Sequence, residues 1–433
     1  MLFISCLICT VVCLTCLVTS PFRGVLLLLA LKPIIDASWN HSFGGYNLLQ
    51  VTAVAAPLLL LPQILAKKSR VLDNQRWKYL AIGYLICNTL GLVMLLLHRP
   101  TEFAIPPVEL VMRALSGFLG FFLLAFYFDD REKFRYLLIA LLVAGIFPAL
   151  MGMYEGLTQT AWRERQTVGL IRYVGLYHDG FNFRFYGFQT IAAILLYLSY
   201  FKPPKRWQVA ALIAYALCWL FVIFNINSKG AVVIACLWCL TWTVATRKIA
   251  YLLLIVVALL GVNLASNNIV FDRIETTLSK EIKFMQGELE DERYVLAGRG
   301  FIWEDYWQRW KKLDPELKII GTGESLPVHN EFFRILIANG VIGLMTNIVL
   351  LLIIGWMLLR RLWLRCTPIN ILALMIFQMW LVDCLGVHPG LYPSYQWFVW
   401  GMIGLAVTGV KGLDGMHSSL FEPARSVSPQ LLY

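Results

Sequence analysis

Charge is scarce in this chain: only 15% of its 433 residues are Asp, Glu, Lys or Arg, against about 25% in a soluble domain. That excludes an ordinary soluble globular protein. The signatures of nucleotide-driven and hydrolytic chemistry are missing too. There is no P-loop, no G-x-S-x-G, no H-E-x-x-H, and no D-x-D of the kind that holds a metal under a nucleotide-sugar. No repeat appears at solenoid periods and no low-complexity tract stands out. Residues 1–20 lack the basic start of a cleavable signal peptide and run straight into further apolar sequence, so they are expected to form a first span. The long polar segment carries no cysteine, and no disulfide is expected there.

Apolar sequence fills the rest, at 59% hydrophobic residues. Runs of about 20 apolar residues recur along the whole length, as a multi-span membrane protein requires. In lipid the backbone must satisfy its own hydrogen bonds, which makes these runs helices. The expectation is an all-α polytopic membrane protein with about 12 or 13 transmembrane helices and one large extramembrane loop containing amphipathic helices. Residues 1–156 hold the N-terminal spans and 157–266 the central spans with cationic loops. Residues 267–335 form the large loop, 336–410 the C-terminal spans, and 411–433 a polar cytoplasmic tail. The ten cysteines lie in or at the ends of apolar segments. Cys6, Cys9, Cys13 and Cys16 have helical spacing and Cys236/Cys239 form a C-x-x-C, read as small buried groups before metal or redox chemistry.

The net charge of +11 is mostly topology, with no call for nucleic acid. Basic clusters sit between spans, around Lys67 and Lys68, Arg131 to Arg135, Lys205 and Arg206, Arg247 and Lys248, and Arg360 and Arg361, and mark cytoplasmic loops. Segments 158–184, 225–230 and 267–333 must then face the other side. Cations nevertheless collect there: Arg163, Arg165, Arg172, Arg184, Lys229, Arg293 and Arg299. The 267–333 loop is mixed, with nine Lys or Arg against thirteen Asp or Glu. Cations placed against the rule near helix ends suggest an anionic ligand.

Each motif has a structural and a functional reading. Trp303, Trp307 and Trp310 share one helical face, which rests on the membrane interface or stacks a sugar ring. Arg172 makes an ion pair or forks onto phosphate. Lys229 snorkels to headgroups or pairs with pyrophosphate. His329 opens a helix after the loop formers Gly321, Gly323 and Pro327. It either packs there or acts as a base, since its ordinary pKa of about 6.5 suits proton transfer near neutrality. Asn330 caps that helix or orients the ring.

His329-Asn330, nine residues, Gly340, two residues and Gly343 together resemble the signature of the bacterial O-antigen ligase and polymerase superfamily. RYVGLY at Arg172 is similar to that family's Arg-x-x-Gly element, with Asn182 standing for a following asparagine. SKG at 228–230 resembles its Ser-Arg-Gly, and GRGFIW at 298–303 its Gly-Arg-x-x-x-Trp. The resemblance covers about Arg172 to Gly343; the N-terminal spans match in hydropathy alone. It implies a metal-independent C-type glycosyltransferase of the bacterial inner membrane, without cofactor, whose active site and large loop face the periplasm. It also implies a donor glycan on undecaprenyl pyrophosphate and, as acceptor, lipid A-core for a ligase or a lipid-linked repeat for a polymerase. His329 would take the proton of the acceptor hydroxyl. Arg172, Lys229 and Arg299 would hold the pyrophosphate, with lysine at 229 departing from the family's arginine and losing its fork. Asn330, Glu324, Tyr294 and Arg184 would support the site or contact the acceptor. A lipid-linked glycan transporter is the competing expectation from another class; it calls for charges deep within the spans.

Overall fold

The structure, a computed structural model, describes residues 2–43, 46–97, 107–163, 166–167, 170–201, 203–226, 228–248, seven positions between 253 and 264, 267–288 and 298–413. Eight described helices are long and apolar enough to cross a membrane: Leu48–Leu65, Gln75–Leu97, Glu109–Tyr127, Arg131–Thr158, Arg206–Asn225, Lys229–Thr246, Glu331–Leu364 and Pro368–Gly386. The chain is thus an all-α polytopic membrane protein. Among the described residues, strands are confined to two antiparallel pairs of two residues each, Ser42–Phe43 with Tyr46–Asn47 and Gln166–Thr167 with Leu170–Ile171.

Several expected spans take other forms. Leu2–Thr19 and Pro21–Asp36 turn back on each other at Ser20. The Cys6 thiol reaches the Ile34 carbonyl at 3.1 Å, and Gly24 lies so close to the Leu17 backbone that a side chain would collide with it. Gly180–Tyr200 is long enough to span, but it buries Asn182, Arg184, Gln189 and Thr190. Pro393–Thr408 has 16 residues, about 24 Å of helix against roughly 30 Å of hydrocarbon. It is buried at nearly every position. The end of the central region, 249–266, lies largely outside the described residues.

The core is aromatic and tied by side-chain to backbone bonds. Pro393–Thr408 packs on Pro107–Tyr127 where Gly117 and Gly120 leave room for Gln396. Gln396 accepts from the Tyr84 hydroxyl at 2.6 Å and donates to the Gly390 carbonyl at 2.6 Å. Trp397 donates to Ser116 and Trp77 to the Phe121 carbonyl, so these two buried indole N–H groups are satisfied. Helix starts follow local rules. Proline opens Pro368–Gly386 and Pro393–Thr408. The Asp179 and Asn330 side chains cap Gly180–Tyr200 and Glu331–Leu364.

Glu331–Leu364 is not one continuous rod. Gly340 stands at φ 65° and ψ −170° and breaks it. The freed carbonyls of Ile337 and Ala338 accept from the N–H groups of Thr322 (2.8 Å) and Gly323 (2.9 Å). The segment leading to His329 is thereby laced along the helix that follows it.

Candidate functional site

Arg184 lies one turn into Gly180–Tyr200 and is buried. Its guanidinium donates to the Ser228 hydroxyl at 2.8 Å and pairs with the Asp383 carboxylate. The other Asp383 oxygen accepts from the Tyr395 hydroxyl at 2.6 Å. A side chain at Gly230 would come within 2.5 Å of the same guanidinium. Two residues of the S-K-G turn therefore serve Arg184, and Lys229 sits between them, partly buried at the first position of Lys229–Thr246. Arg184, expected as a supporting contact, is placed as a fixed, charge-neutralised strut.

Arg299 begins Arg299–Lys311, after Gly298 in a left-handed conformation. Its guanidinium lies on Gly386, where a Cβ would be 3.1 Å away. Burial first, then the like charges of Arg172 and Arg184, lower its pKa to about 10. It stays charged at neutral pH. Arg299 thus feels the like charge of two arginines from other segments, one of which, Arg184, is already paired with Asp383.

His329 is exposed and in the left-handed region, at φ 51°. Its ring centroid lies 5.5 Å from that of His388, with the planes tilted by 35°. Asn330 accepts from the Phe333 N–H at 3.1 Å and so caps the helix. Glu331 and Arg334 form a buried two-point pair, and Arg334 also donates to Asn88 at 2.8 Å. The tryptophan face packs inward on this segment: Trp303 donates to the Val328 carbonyl at 3.0 Å and stacks with Phe333, and Trp307 stacks with Trp310 at 4.9 Å. That face anchors Arg299–Lys311 beside His329.

One connector joins these groups. Along the last turn of Pro368–Gly386 and the connector to Pro393–Thr408, Asp383 meets Arg184, Gly386 meets Arg299, and His388 meets His329. Gly390 fits against the Glu331–Arg334 pair, and Tyr392 donates to Asp179 at 2.7 Å. His388 has a buried Nδ1 without a hydrogen-bond partner. Burial, with the positive charge of His329, Arg334 and Arg113, pushes its pKa down to about 3, so the ring is neutral at pH 7. Burial alone would raise Asp179, but hydrogen bonds from His178, the Asn182 N–H and Tyr392 outweigh it and hold the carboxyl at about 2. Glu155 accepts from the N–H groups of Trp162 and Gly175, both at 2.9 Å, and so fixes the loop that follows Arg172.

Arg172, Arg184 and Arg299 are brought into one electrostatic neighbourhood, and the connector carries it to His329. Arg163 instead lies over the Trp39 ring at 4.4 Å. Glu324 is partly buried, its N–H donating to the Thr322 hydroxyl at 3.2 Å. Tyr294, Arg165 and Arg293 lie outside the described residues. Asp383, His388, Asp179 and Glu155 were not singled out in the sequence. An acidic residue inside an apolar run is itself a signal, and it marks Asp383 and Glu155. Among the described residues no three His, Cys, Asp or Glu side chains gather as a metal site would require. No protein-family model matches this chain, and no curated protein matches it.

Proposed function

We propose that the protein is a membrane glycosyltransferase of the O-antigen ligase type, working at the periplasmic face of the bacterial inner membrane. The observation that carries this reading is the convergence of Arg172, Arg184 and Arg299 next to the His329–His388 pair. The donor is a glycan on undecaprenyl pyrophosphate and the acceptor a hydroxyl of lipid A-core. His329 takes the hydroxyl proton, the oxygen bonds to the anomeric carbon, and the bond from that carbon to the pyrophosphate oxygen breaks. The pyrophosphate departs with the electron pair and is held by Arg172 and Arg299, with Lys229 adding charge. Fixed cations at a developing anion lower the barrier without reorganising. Arg184, neutralised by Asp383, positions the Ser228–Gly230 turn. In this reading the large loop 267–335 lies on the periplasmic side, and the shorter helices complete about 12 or 13 crossings.

A polymerase of the same superfamily shares this chemistry and differs in using a lipid-linked repeat as acceptor. A lipid-linked glycan transporter is favoured by a different observation, the buried Lys32–Asp36 and Arg184–Asp383 pairs inside the bundle. Purified protein supplied with lipid-linked donor and each acceptor separates the three. New glycosidic bonds on lipid A-core support the ligase, and chain growth on the carrier supports the polymerase. Translocation without a new bond overturns the enzyme reading.

A further inference from the structure

The opposite membrane face carries a second feature. Gly180–Tyr200 starts beside the candidate site and rises about 30 Å over its 21 residues, roughly the hydrocarbon thickness. At its far end, Tyr197 and the following Pro203 line a groove of about 660 Å³ between Arg131–Thr158 and Arg206–Asn225. Small-molecule sites run from about 300 to 1,000 Å³.

The groove is shaped by a defect in a span. Arg131–Thr158 is interrupted at Gly145, which has no room for a side chain against Thr190 and Tyr215. The Tyr215 hydroxyl donates to the Leu142 carbonyl at 3.0 Å and braces the interruption. Ala149 and Ala211 face the space with little bulk, and the deep wall is apolar. The mouth has the other character. Arg135 lines it, exposed Lys205 and Arg206 adjoin it, and among the described residues no acidic side chain lines the groove. Trp207, 65% exposed, stands at the rim, as indoles do at the headgroup level.

We propose that this groove binds one anionic phospholipid, an acyl chain along the apolar wall and the phosphate against Arg135, Lys205 and Arg206. The charge of the mouth argues for an anionic headgroup, since basic pockets between spans recruit such lipids. The apolar depth argues for a chain and against a free phosphate. This inference is independent of the glycosyl-transfer reading.

The test uses the full chain in bilayers containing brominated phosphatidylglycerol or brominated phosphatidylcholine. The fluorescence difference between wild type and Trp207→Phe reports lipid at the rim. The anionic lipid should quench that difference at a lower mole fraction than the zwitterionic one. Arg135→Gln should reduce the preference roughly fivefold, and Arg135→Gln with Lys205→Gln should remove it. Equal quenching by both lipids overturns the proposal. So does a preference that survives the double substitution, or an absence of quenching by either lipid, as when a partner helix fills the groove.

Discussion

The imidazole of His388 lies 5.5 Å from that of His329, centroid to centroid, and is the more enclosed of the two. Its pKa falls to about 3 in the folded protein, against about 6.5 in an unfolded chain. Between those values the unfolded chain binds a proton that the folded one refuses. Folding stability is therefore complete above about pH 6.5 and declines as the pH drops toward 3, by at most about 1.4 kcal/mol per pH unit from this residue. His388→Gln should lose less stability between pH 7.5 and 4.5 than wild type, read as the shift in thermal midpoint in detergent. Equal losses would count against the assignment.

Breaking one side of the Arg184–Asp383 pair leaves a buried charge alone. Arg184→Gln and Asp383→Asn should each destabilise the protein by about 3–5 kcal/mol. The double variant should cost less than the sum, because neither charge is then stranded. A double-mutant cycle on unfolding midpoints measures the coupling, and strict additivity would contradict the pairing.

The transfer reading separates the roles of His329 and the arginines. His329→Ala should abolish transfer with little change in thermal midpoint, since the ring is exposed. Arg299→Gln and Arg172→Gln should each lower kcat by roughly 10²–10³ if they stabilise a departing pyrophosphate. A rise in KM alone would assign them to ground-state binding instead. These are single-turnover measurements with lipid-linked donor.

Two glycines in apolar helices should respond differently to alanine. Gly340→Ala forces a side chain into a left-handed position and against the Ile319 carbonyl, a strain of about 1–3 kcal/mol that also loosens the segment 321–323. Gly83→Ala meets only Leu350, at 3.4 Å, and should be neutral or slightly stabilising by helix propensity. Thermal midpoints of the two variants side by side test the contrast.

The sequence makes the membrane class legible because hydrophobic length is a one-dimensional property. The spacing of Trp303, Trp307 and Trp310 likewise announces one helical face. What that face touches is not written locally: Phe333 and the Val328 carbonyl come from a separate element. His329, Arg172 and Arg299 are visible because polar residues at the ends of apolar runs stand out. The partners that orient them are not, since Gly386 only ends a helix and His388 sits in a short connector with no periodicity to read. Gly340 is conspicuous in the sequence, but its use as a helix break depends on the docking of Thr322 and Gly323. Arg184 was expected at the end of a loop, 158–184; its burial in Gly180–Tyr200 makes sense only once Ser228 and Asp383 are beside it.

From the last turn of Pro368–Gly386 through the connector to Pro393–Thr408, the chain reaches Arg184, Arg299, His329 and Asp179 in turn. Asp179 and Arg184 lie at the start of one helix, Gly180–Tyr200, whereas Arg299 and His329 come from two other elements, so the alignment of these three segments is set by a common jig. Small adjustments of that hairpin would move cationic and imidazole groups in concert. Altering the spacing from Asp383 to Tyr392 by a single residue would put them out of register together, whatever remained of each side chain individually.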